Sequence, residues 1–212
     1  MKIVAIDGPA GAGKSTVARA LARRLGVQYL DTGAMYRAVT WLALHNGCEL
    51  TDEDAVGVLS ESCELEVGLE DVVIDGFDVT RQIREPEVTR AVSIVAALPR
   101  VRAEMRRRQR EWGVSRSGGV IEGRDIGTVV FPDAMAKLFL TANPRIRAER
   151  RVAEHGGDVR EIERSIAERD RLDSTRADSP LATSSDALVI DTSGLTVDEV
   201  VLTILGLIED RS

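Results

Sequence analysis

Eight residues near the start of the chain, GPAGAGKS at positions 8–15, constrain the fold more than any other feature of the sequence. They match the pattern G-x-x-x-x-G-K-[ST], in which glycines let the backbone curl until its N–H groups point inward at phosphate oxygens. The run KIVAID before them is typical of a buried strand, and the residues after them have the apolar spacing of a helix. This order predicts a phosphate-binding loop in an α/β fold.

The chemistry of such a loop assigns roles to its residues. We expect Lys14 to reach the β- and γ-phosphates of a nucleoside triphosphate, and the Ser15 hydroxyl to hold Mg²⁺. The amino end of the following helix adds the positive end of its dipole. The predicted triphosphate-binding residues are Gly8, Pro9, Ala10, Gly11, Ala12, Gly13, Lys14, Ser15 and Thr16. The motif leaves three outcomes open for the γ-phosphate: transfer to water, transfer to a small acceptor, or mere sensing by a switch.

Strands that alternate with helices along the chain predict a parallel sheet covered on both faces. The expected strands are 2–7, 27–30, 120–122, 135–141 and 187–191. The expected helices are 14–25, 33–45, 85–98, 100–112, 145–154, 159–174 and 196–209.

One segment departs from this alternation. Residues 64–80 alternate apolar and polar side chains around an Asp-Gly turn at 75–76, which predicts a hairpin or small antiparallel sheet in an inserted lobe. Just before it, Thr51 with Asp54 resembles a capping box and predicts a helix that ends near residue 62.

Length and charge exclude some functions. The 212 residues suit one α/β domain with an inserted lobe. A net charge of −7 argues against nonspecific nucleic-acid binding, but it allows an anionic small molecule in a local cationic pocket. Two cysteines predict free thiols in a reducing cytoplasm, and two histidines leave no His/Cys metal cluster. The first apolar run is too short for a signal peptide, and no stretch approaches the ~18 residues of a membrane span.

The segment DTGAMYR (31–37) follows the second predicted strand. Asp31 and Thr32 can cap the next helix. Arg37, one turn further on, would face the crevice at the carboxyl edge of a parallel sheet, where ligands bind. Because guanidinium groups match phosphate geometry, phosphate contact is favoured there over a solvated charge.

Two other arginine-rich segments are less decisive. One helix face is predicted to carry Arg169, Asp173 and Arg176. These side chains could form an ion-pair ladder on the surface, or they could face a ligand. The run RRRQR (106–110) is interpreted as the solvated face of an amphipathic helix.

The segments GPAGAGKST, LDTGAMYR, SIVAALPRVR, EGRDIGTVVFPDA and RDRLDSTRADSPL, in this order, closely resemble those of bacterial cytidylate kinases. The resemblance runs from about residue 3 to about residue 209. It implies a P-loop NTPase three-layer fold with a five-stranded parallel sheet, an antiparallel sheet in the monophosphate-binding lobe, and a helical lid. The implied core is about 1–35, 85–143 and 177–212, the lobe about 36–84, and the lid about 144–176. The implied protein is a cytoplasmic monomer that uses Mg²⁺ to transfer the γ-phosphate of ATP to CMP or dCMP, without nucleic-acid or membrane partners.

The resemblance also implies roles for individual residues. Arg37 and Arg124 match positions that grip the acceptor phosphate, and Ser93, Arg102 and Asp125 match positions that read cytosine. The implied acceptor-binding residues are Thr32, Arg37, Ser93, Arg102, Arg124, Asp125, Arg169, Asp173 and Arg176. The residues implied to neutralise charge or align the phosphates during transfer are Lys14, Arg124, Arg150 and Arg151, the last two as lid arginines.

The base-reading roles agree with the chemistry of cytosine. Asp125 can accept a hydrogen bond from the N4 amino group, and Arg102 can donate to N3 and O2. Uracil inverts this edge, so each buried charged group would lose its partner at a cost of about 1–3 kcal/mol. The alternative is that Arg124 and Asp125 form an ion pair that closes a turn.

Some assignments remain open. Asp7, Glu122 and Asp125 are all candidates for a carboxylate near Mg²⁺. The acceptor could instead be UMP, dTMP or a metabolite. A GTP-dependent switch is disfavoured because the sequence has no guanine-reading N-K-x-D string.

Overall fold

The computed structural model describes residues 2–209. The strands are β1 (Lys2–Asp7), β2 (Tyr29–Asp31), β3 (Leu65–Val67), β4 (Val72–Ile74), β5 (Phe77–Asp78), β6 (Gly118–Glu122), β7 (Ala136–Thr141) and β8 (Leu188–Asp191). The helices are α1 (Lys14–Leu25), α2 (Thr32–His45), α3 (Glu53–Ser62), α4 (Pro86–Val95), α5 (Pro99–Ser115), α6 (Pro144–His155), α7 (Val159–Thr175) and α8 (Val197–Glu209). A 3-10 turn at Gln82–Arg84 and a π-helical turn at Ile126–Val130 complete the elements.

Five parallel strands form the main sheet in the order β2-β6-β1-β7-β8. Side chains alternate along β1, so that Ile3 and Ala5 pack against α2 and α5 while Val4 and Ile6 pack against α1 and α8. Both faces of the sheet are therefore buried, which explains why its strands have continuous apolar runs. The three-layer α/β fold predicted from the sequence is confirmed.

The predicted motifs meet at the carboxyl edge of this sheet. β1 ends at Asp7 and leads into the loop 8–13. Both Ile6 and Asp31 are in register with Glu122, so β1, β2 and β6 end side by side. Residues 123–125 follow directly. Strands far apart in sequence thus bring their following loops together, as expected of a parallel sheet.

The antiparallel sheet predicted at 64–80 is also present, in the order β3-β4-β5. Its turn places Asp75 and Gly76 at positive φ values of 49° and 78°, as the Asp-Gly pair predicts. Val72 and Ile74 of β4 belong to the same buried cluster as α2. Among residues 2–209, no helix has the length and apolar character needed to cross a membrane. Residue 1 and residues 210–212 of the expected core lie outside the described residues.

Several predicted boundaries are wrong by a few residues. β2 begins at Tyr29 rather than Val27, because the N–H of Val27 still donates to Ala22 at the end of α1. α4 ends at Val95, whereas α5 runs on to Ser115. β6 begins at residue 118, two residues earlier than expected.

The cap of α3 was also assigned to the wrong residue. Asp52, and not Thr51, caps the helix, since its side chain accepts a hydrogen bond from the N–H of Ala55 at 3.0 Å. The Thr51 hydroxyl donates instead to Glu49.

The solvated-face interpretation of residues 106–110 is wrong for Arg106 and Arg108, which are half-buried, whereas Arg107 and Arg110 are exposed. Arg106 donates to Asp178, Arg108 donates to the backbone oxygens of Ser60 and Cys63, and Arg110 donates to those of residues 129 and 130. α5 is therefore fixed to its neighbours by its arginines, which sequence spacing cannot reveal.

Candidate active site

The loop between β1 and α1 is curled as its sequence predicts. Gly11 and Gly13 adopt left-handed backbone conformations, with φ values of 76° and 84°. Gly8 is required for a different reason, because a Cβ there would lie 2.0 Å from the backbone oxygen of Leu140 in β7. Lys14 is buried and its Nζ donates to the backbone oxygen of Pro9 at 2.8 Å. The loop thus holds its lysine beside its own concave backbone.

An ion pair from the last third of the chain fixes the outside of this loop. Arg147 of α6 donates to the backbone oxygen of Ala10 at 2.9 Å and to the Asp170 carboxylate at 2.5 Å. The N–H of Ala10 in turn donates to Asp170 of α7 at 3.1 Å. Both α6 and α7 are therefore attached to the loop at a single residue.

The two predicted lid arginines lie in different places. Arg150 donates to the hydroxyl and the backbone oxygen of Thr192, at 3.0 and 2.6 Å, and Thr192 donates to the backbone oxygen of Ala12. Arg150 therefore lies behind the loop, whereas Arg151 lines the cleft in front of it. In this structure, the Thr192 contacts hold the Arg150 guanidinium away from the cleft.

Of the three candidate metal-side carboxylates, Glu122 is the one beside Ser15. The Ser15 side chain lies close enough to the Glu122 carboxylate to lower its pKa, and the hydroxyl of Tyr29 donates a hydrogen bond to the same group. Thr32 donates to the backbone oxygen of Glu122 at 2.6 Å. Burial raises the pKa of Glu122, and Asp31 adds to this effect while Lys14 opposes it.

Oxygen donors of this kind fit Mg²⁺, which binds one or two carboxylates and keeps several water or phosphate ligands. Among residues 2–209, no three His, Cys, Asp or Glu side chains form a metal-binding group. Ser15 and Glu122 are therefore the residues that could hold the ion, with phosphate and water as its other ligands.

The other two carboxylates have different partners. Asp7 accepts hydrogen bonds from the N–H groups of Ile126 and Gly127, at 2.8 and 2.7 Å, and so fixes the turn that follows β6. Asp125 is the residue immediately before that turn, and its carboxylate forms ion pairs with Arg102 and Arg176.

A row of alternating charges lines the acceptor side of the cleft. Arg124 donates to Asp173 at 2.9 Å, so the alternative of an Arg124–Asp125 pair is not what the structure contains. Asp125 instead contacts Arg102 at 2.5 Å and Arg176 at 3.5 Å. The guanidinium of Arg102 lies 5.6 Å from the centre of the Tyr36 ring, which the cleft also exposes.

Three other arginines in the cleft lack carboxylate partners. Arg37 donates only to neutral groups, the backbone oxygen of Ile83 and the hydroxyl of Thr89, both at 2.9 Å. The Nε of Arg169 is buried without a partner. Within residues 2–209, Arg37, Arg151 and Arg169 form no ion pair.

Burial, and then repulsion between neighbouring positive charges, lower the pKa values of these groups. Burial lowers the pKa of Arg37 to about 9, and the positive charges of Arg169 and Arg151 add to the shift. Burial and Arg124 lower the pKa of Arg169 to about 10. Burial, Arg124 and Arg169 likewise lower the pKa of Lys14. Cations that are buried together and crowd one another indicate a site for an anion.

The cleft has a volume of about 580 Å³ and brings together most of the predicted site residues. Those that line it are Ala10, Gly11, Lys14, Ser15, Thr32, Arg37, Ser93, Arg102, Arg124, Asp125, Arg151, Arg169, Asp173 and Arg176. Those that do not line it are Gly8, Pro9, Ala12, Gly13, Thr16 and Arg150.

The sequence interpretation missed several residues around the cleft. They are Arg84, Thr89, Arg90, Glu122 as a group beside Ser15, Arg106, Arg147, Asp170, Asp178 and Thr192. Arg84 lies just before α4 and Arg90 lies in its second turn, and no motif in the sequence marked them. The others act through contacts with distant parts of the chain, for which spacing gives no signal.

The fold and the cleft together define a P-loop protein, in which a phosphate-binding loop at the carboxyl edge of a parallel sheet faces a second, arginine-lined anion site. The family model for cytidylate kinase matches residues 4–210, and the chain belongs to that family.

Curated relatives agree with this assignment. A bifunctional pantoate ligase/cytidylate kinase from Prochlorococcus marinus is 52% identical over 216 residues, which cover 97% of this chain and 43% of that protein. A cytidylate kinase from Streptomyces avermitilis is 46% identical over 215 residues, covering 99% of this chain and 93% of that protein. The chain thus spans less than half the length of the bifunctional relatives that it matches.

Among solved structures, a gluconokinase from Sinorhizobium meliloti has a TM-score of 0.54 at 16% sequence identity, over 99% of this chain and 92% of that one. At this identity the likeness concerns the fold alone.

Proposed function

We propose that the chain transfers the γ-phosphate of ATP to CMP or dCMP, giving CDP or dCDP. The observation that carries the proposal is that Arg37, which is buried, and Arg169, which is half-buried, line the same cleft as the phosphate-binding loop and form no ion pair among residues 2–209. A second anion at that position would be the phosphate of an acceptor, aligned with the triphosphate held by Lys14. The names of the family and the relatives support cytidine nucleotides as the acceptor.

The proposed chemistry requires alignment and charge neutralisation rather than a covalent intermediate. Phosphoryl transfer passes through a loose transition state, so fixed positive groups around the transferred group supply most of the catalysis. Lys14 and Arg151 would contact the donor phosphates, and Arg37 and Arg124 would orient the attacking oxygen. The acceptor phosphate is already an anion, so a general base is not needed.

Base recognition is proposed at the pair Arg102–Asp125. Both groups are buried, and they bind each other at 2.5 Å. A cytosine ring that enters between them can accept hydrogen bonds from Arg102 at N3 and O2 and donate one to Asp125 from N4. Ser93 lines the same part of the cleft. Uracil would leave both buried charges without matching partners, so the site should disfavour UMP.

Mg²⁺ is proposed to bind at Ser15 and Glu122, where it would neutralise charge on the donor phosphates. We also propose that residues 144–176 act as a lid, that 36–84 form the monophosphate-binding lobe, and that the protein works as a cytoplasmic monomer without nucleic-acid or membrane partners.

An acceptor panel tests the proposal. Purified protein with Mg-ATP is given CMP, dCMP, UMP, AMP, GMP or dTMP in turn, and ADP release is measured. We expect rapid ADP release with CMP and dCMP, and at most slow release with the others. Equal ADP release without any acceptor would contradict the kinase assignment, and a preference for UMP or dTMP would favour a kinase of that acceptor instead.

Two lysine variants provide the matched control. Lys14→Ala should abolish transfer with little effect on the fold, because it removes the charge that contacts the phosphates. Lys2→Ala removes an exposed lysine from the opposite end of β1 and should leave the rate unchanged.

A further inference from the structure

Arg102 is fully buried yet incompletely hydrogen-bonded. Its side chain is 1% exposed. Nη1 donates to the backbone oxygen of Ala96 at 3.2 Å, and Nη2 donates to Asp125 at 2.5 Å. Nε is buried, and no atom of residues 2–209 forms a hydrogen bond with it. A carboxylate oxygen of Asp178 lies 3.8 Å from that Nε, so the guanidinium lies between two acidic side chains.

Asp178 is itself held firmly. Nη1 of Arg106, one turn after Arg102 on α5, donates to both carboxylate oxygens of Asp178 at 2.7 and 3.0 Å. The hydroxyl of Ser179 donates to the same carboxylate at 2.5 Å. Although burial opposes it, the hydrogen bonds from Arg106 and Ser179 lower the pKa of Asp178. Asp178 is therefore a fixed negative charge beside Arg102.

The position of Ser179 shows how this arrangement is built. Ser179 has a φ of +52°, which is unusual for a residue other than glycine. Its backbone oxygen accepts a hydrogen bond from Arg176 at 2.7 Å, and the N–H of Leu181 donates to the backbone oxygen of Asp173. The chain after α7 thus folds back and places Asp178 against α5.

A second counterion matters when a base binds. A cytosine that takes up an oxygen of Asp125 weakens the shorter of the two ion pairs of Arg102, the one at 2.5 Å. A buried arginine without a counterion is strongly disfavoured. Asp178 is held by Arg106 and Ser179, so its charge can remain beside Arg102 when Asp125 binds a base.

We propose that Asp178 is a positioning residue for base selection, which fixes the Arg102 guanidinium in the orientation that suits cytosine and not uracil. The inference rests on the proposed function, and specifically on Arg102 as the group that reads the base. Asp178 does not need to touch the nucleotide, because it acts through Arg102. Removing its charge would let the guanidinium turn fully onto Asp125, so both base-reading groups would become less available to cytosine.

The test compares kcat/KM for CMP and for UMP in wild-type protein and in Asp178→Asn. We expect kcat/KM for CMP to fall about tenfold, mainly through KM, while the value for UMP changes less than about twofold. The ratio of the two values should therefore fall about tenfold, which corresponds to about 1.4 kcal/mol of discrimination. Asp178→Glu should restore part of the ratio, since it returns the charge.

Two further variants complete the design. Arg106→Gln loosens Asp178 without removing its charge and should lower the ratio less. It also keeps the test decisive if Asp178→Asn folds poorly. Asp186→Asn removes a carboxylate that pairs with Lys137 and does not line the cleft, so it should leave the ratio unchanged.

Equal losses on CMP and UMP in both Asp178→Asn and Arg106→Gln would overturn the inference and assign Asp178 a structural role. An unchanged ratio would overturn it as well. A wild-type protein without preference for CMP over UMP would contradict the proposed function itself, and the inference with it. The wild-type measurement therefore separates the two failures.

Discussion

At the scale of single residues, buried charged side chains lie both in the cleft and in the elements that support it. Asp7 is an instance outside the substrate cleft. It accepts two backbone hydrogen bonds, from Ile126 and Gly127, yet burial raises its pKa to about 6. The charge of Asp125 adds to the shift and that of Lys14 opposes it. Asp7 therefore supports the turn that presents Arg124 and Asp125, at some cost in stability near neutral pH.

This cost predicts a pH dependence of stability. The folded-state pKa of Asp7, about 6, is above its ordinary value of 3.8. The folded state therefore binds this proton more tightly than the unfolded state, which increases the free energy of unfolding at low pH. This stabilisation is fully present below pH 3.8 and is lost as the pH rises through 6. Relative to Asp7→Asn, wild-type protein should lose about 2 kcal/mol of unfolding free energy between pH 4.5 and 7.5, as measured by urea unfolding.

The matched control is Asp133→Asn, which removes an exposed carboxylate. The difference in unfolding free energy between wild type and Asp133→Asn should vary little with pH. A difference between wild type and Asp7→Asn that is equally flat would contradict the assigned shift.

The sequence predicted some of these residues and not others, for a physical reason. Lys14 and Ser15 could be predicted because their roles follow from a loop that is continuous in sequence. The role of Asp7 depends on N–H groups 119 and 120 positions away, and that of Asp178 on an arginine 72 positions away. Such contacts depend on how strands and helices pack, which local spacing does not determine.

At the scale of elements, α7 connects the two halves of the cleft. Asp170 attaches the helix to the loop at Ala10, while the predicted row of Arg169, Asp173 and Arg176 faces the acceptor side. All three side chains of that row line the cleft, and Asp173 also forms ion pairs with Arg124 and Arg176. α7 therefore connects the phosphate-binding loop, at Ala10, to the opposite side of the cleft.

Asp170→Ala should therefore lower kcat by at least about tenfold, with a smaller change in the KM values for ATP and CMP. The reason is that α7 would lose its attachment to Ala10, and misplacement of reacting groups by about 1 Å can cost about a hundredfold in rate. Steady-state kinetics with both substrates varied would measure the effect. Arg171→Ala, which removes a neighbouring guanidinium paired with exposed Glu168, should have little effect.

An alternative outcome would contradict this role. If Asp170→Ala kept its kcat and bound ATP more tightly, the carboxylate would be a competitor of phosphate for the N–H of Ala10 rather than an attachment point.

Element types were easier to predict than element ends. Apolar periodicity identified the five core strands and the hairpin. Strands that are buried on both faces have continuous apolar runs, and strands that are buried on one face alternate apolar and polar residues. The cap of α3 was ambiguous because Thr51 and Asp52 are adjacent and both can accept the hydrogen bond.

At the scale of the whole molecule, an acidic protein contains a strongly cationic cleft. The net charge is −7, yet the cleft gathers Lys14 and arginines from α2, α5, α6, α7 and the turn after β6. The parallel sheet makes this possible, since it brings the loops after β1, β2 and β6 to one edge. The rest of the surface can then carry the negative charge that keeps unrelated polyanions away.

The central claim is that two anion sites adjoin in this cleft, one for a triphosphate and one for a pyrimidine monophosphate. A crystal structure of the protein with bound CMP tests it most directly. The account predicts that Arg37 and Arg124 contact the phosphate and that Asp125 and Arg102 contact the cytosine edge. A nucleotide bound elsewhere, with Arg37 and Arg124 turned away from it, would contradict the account.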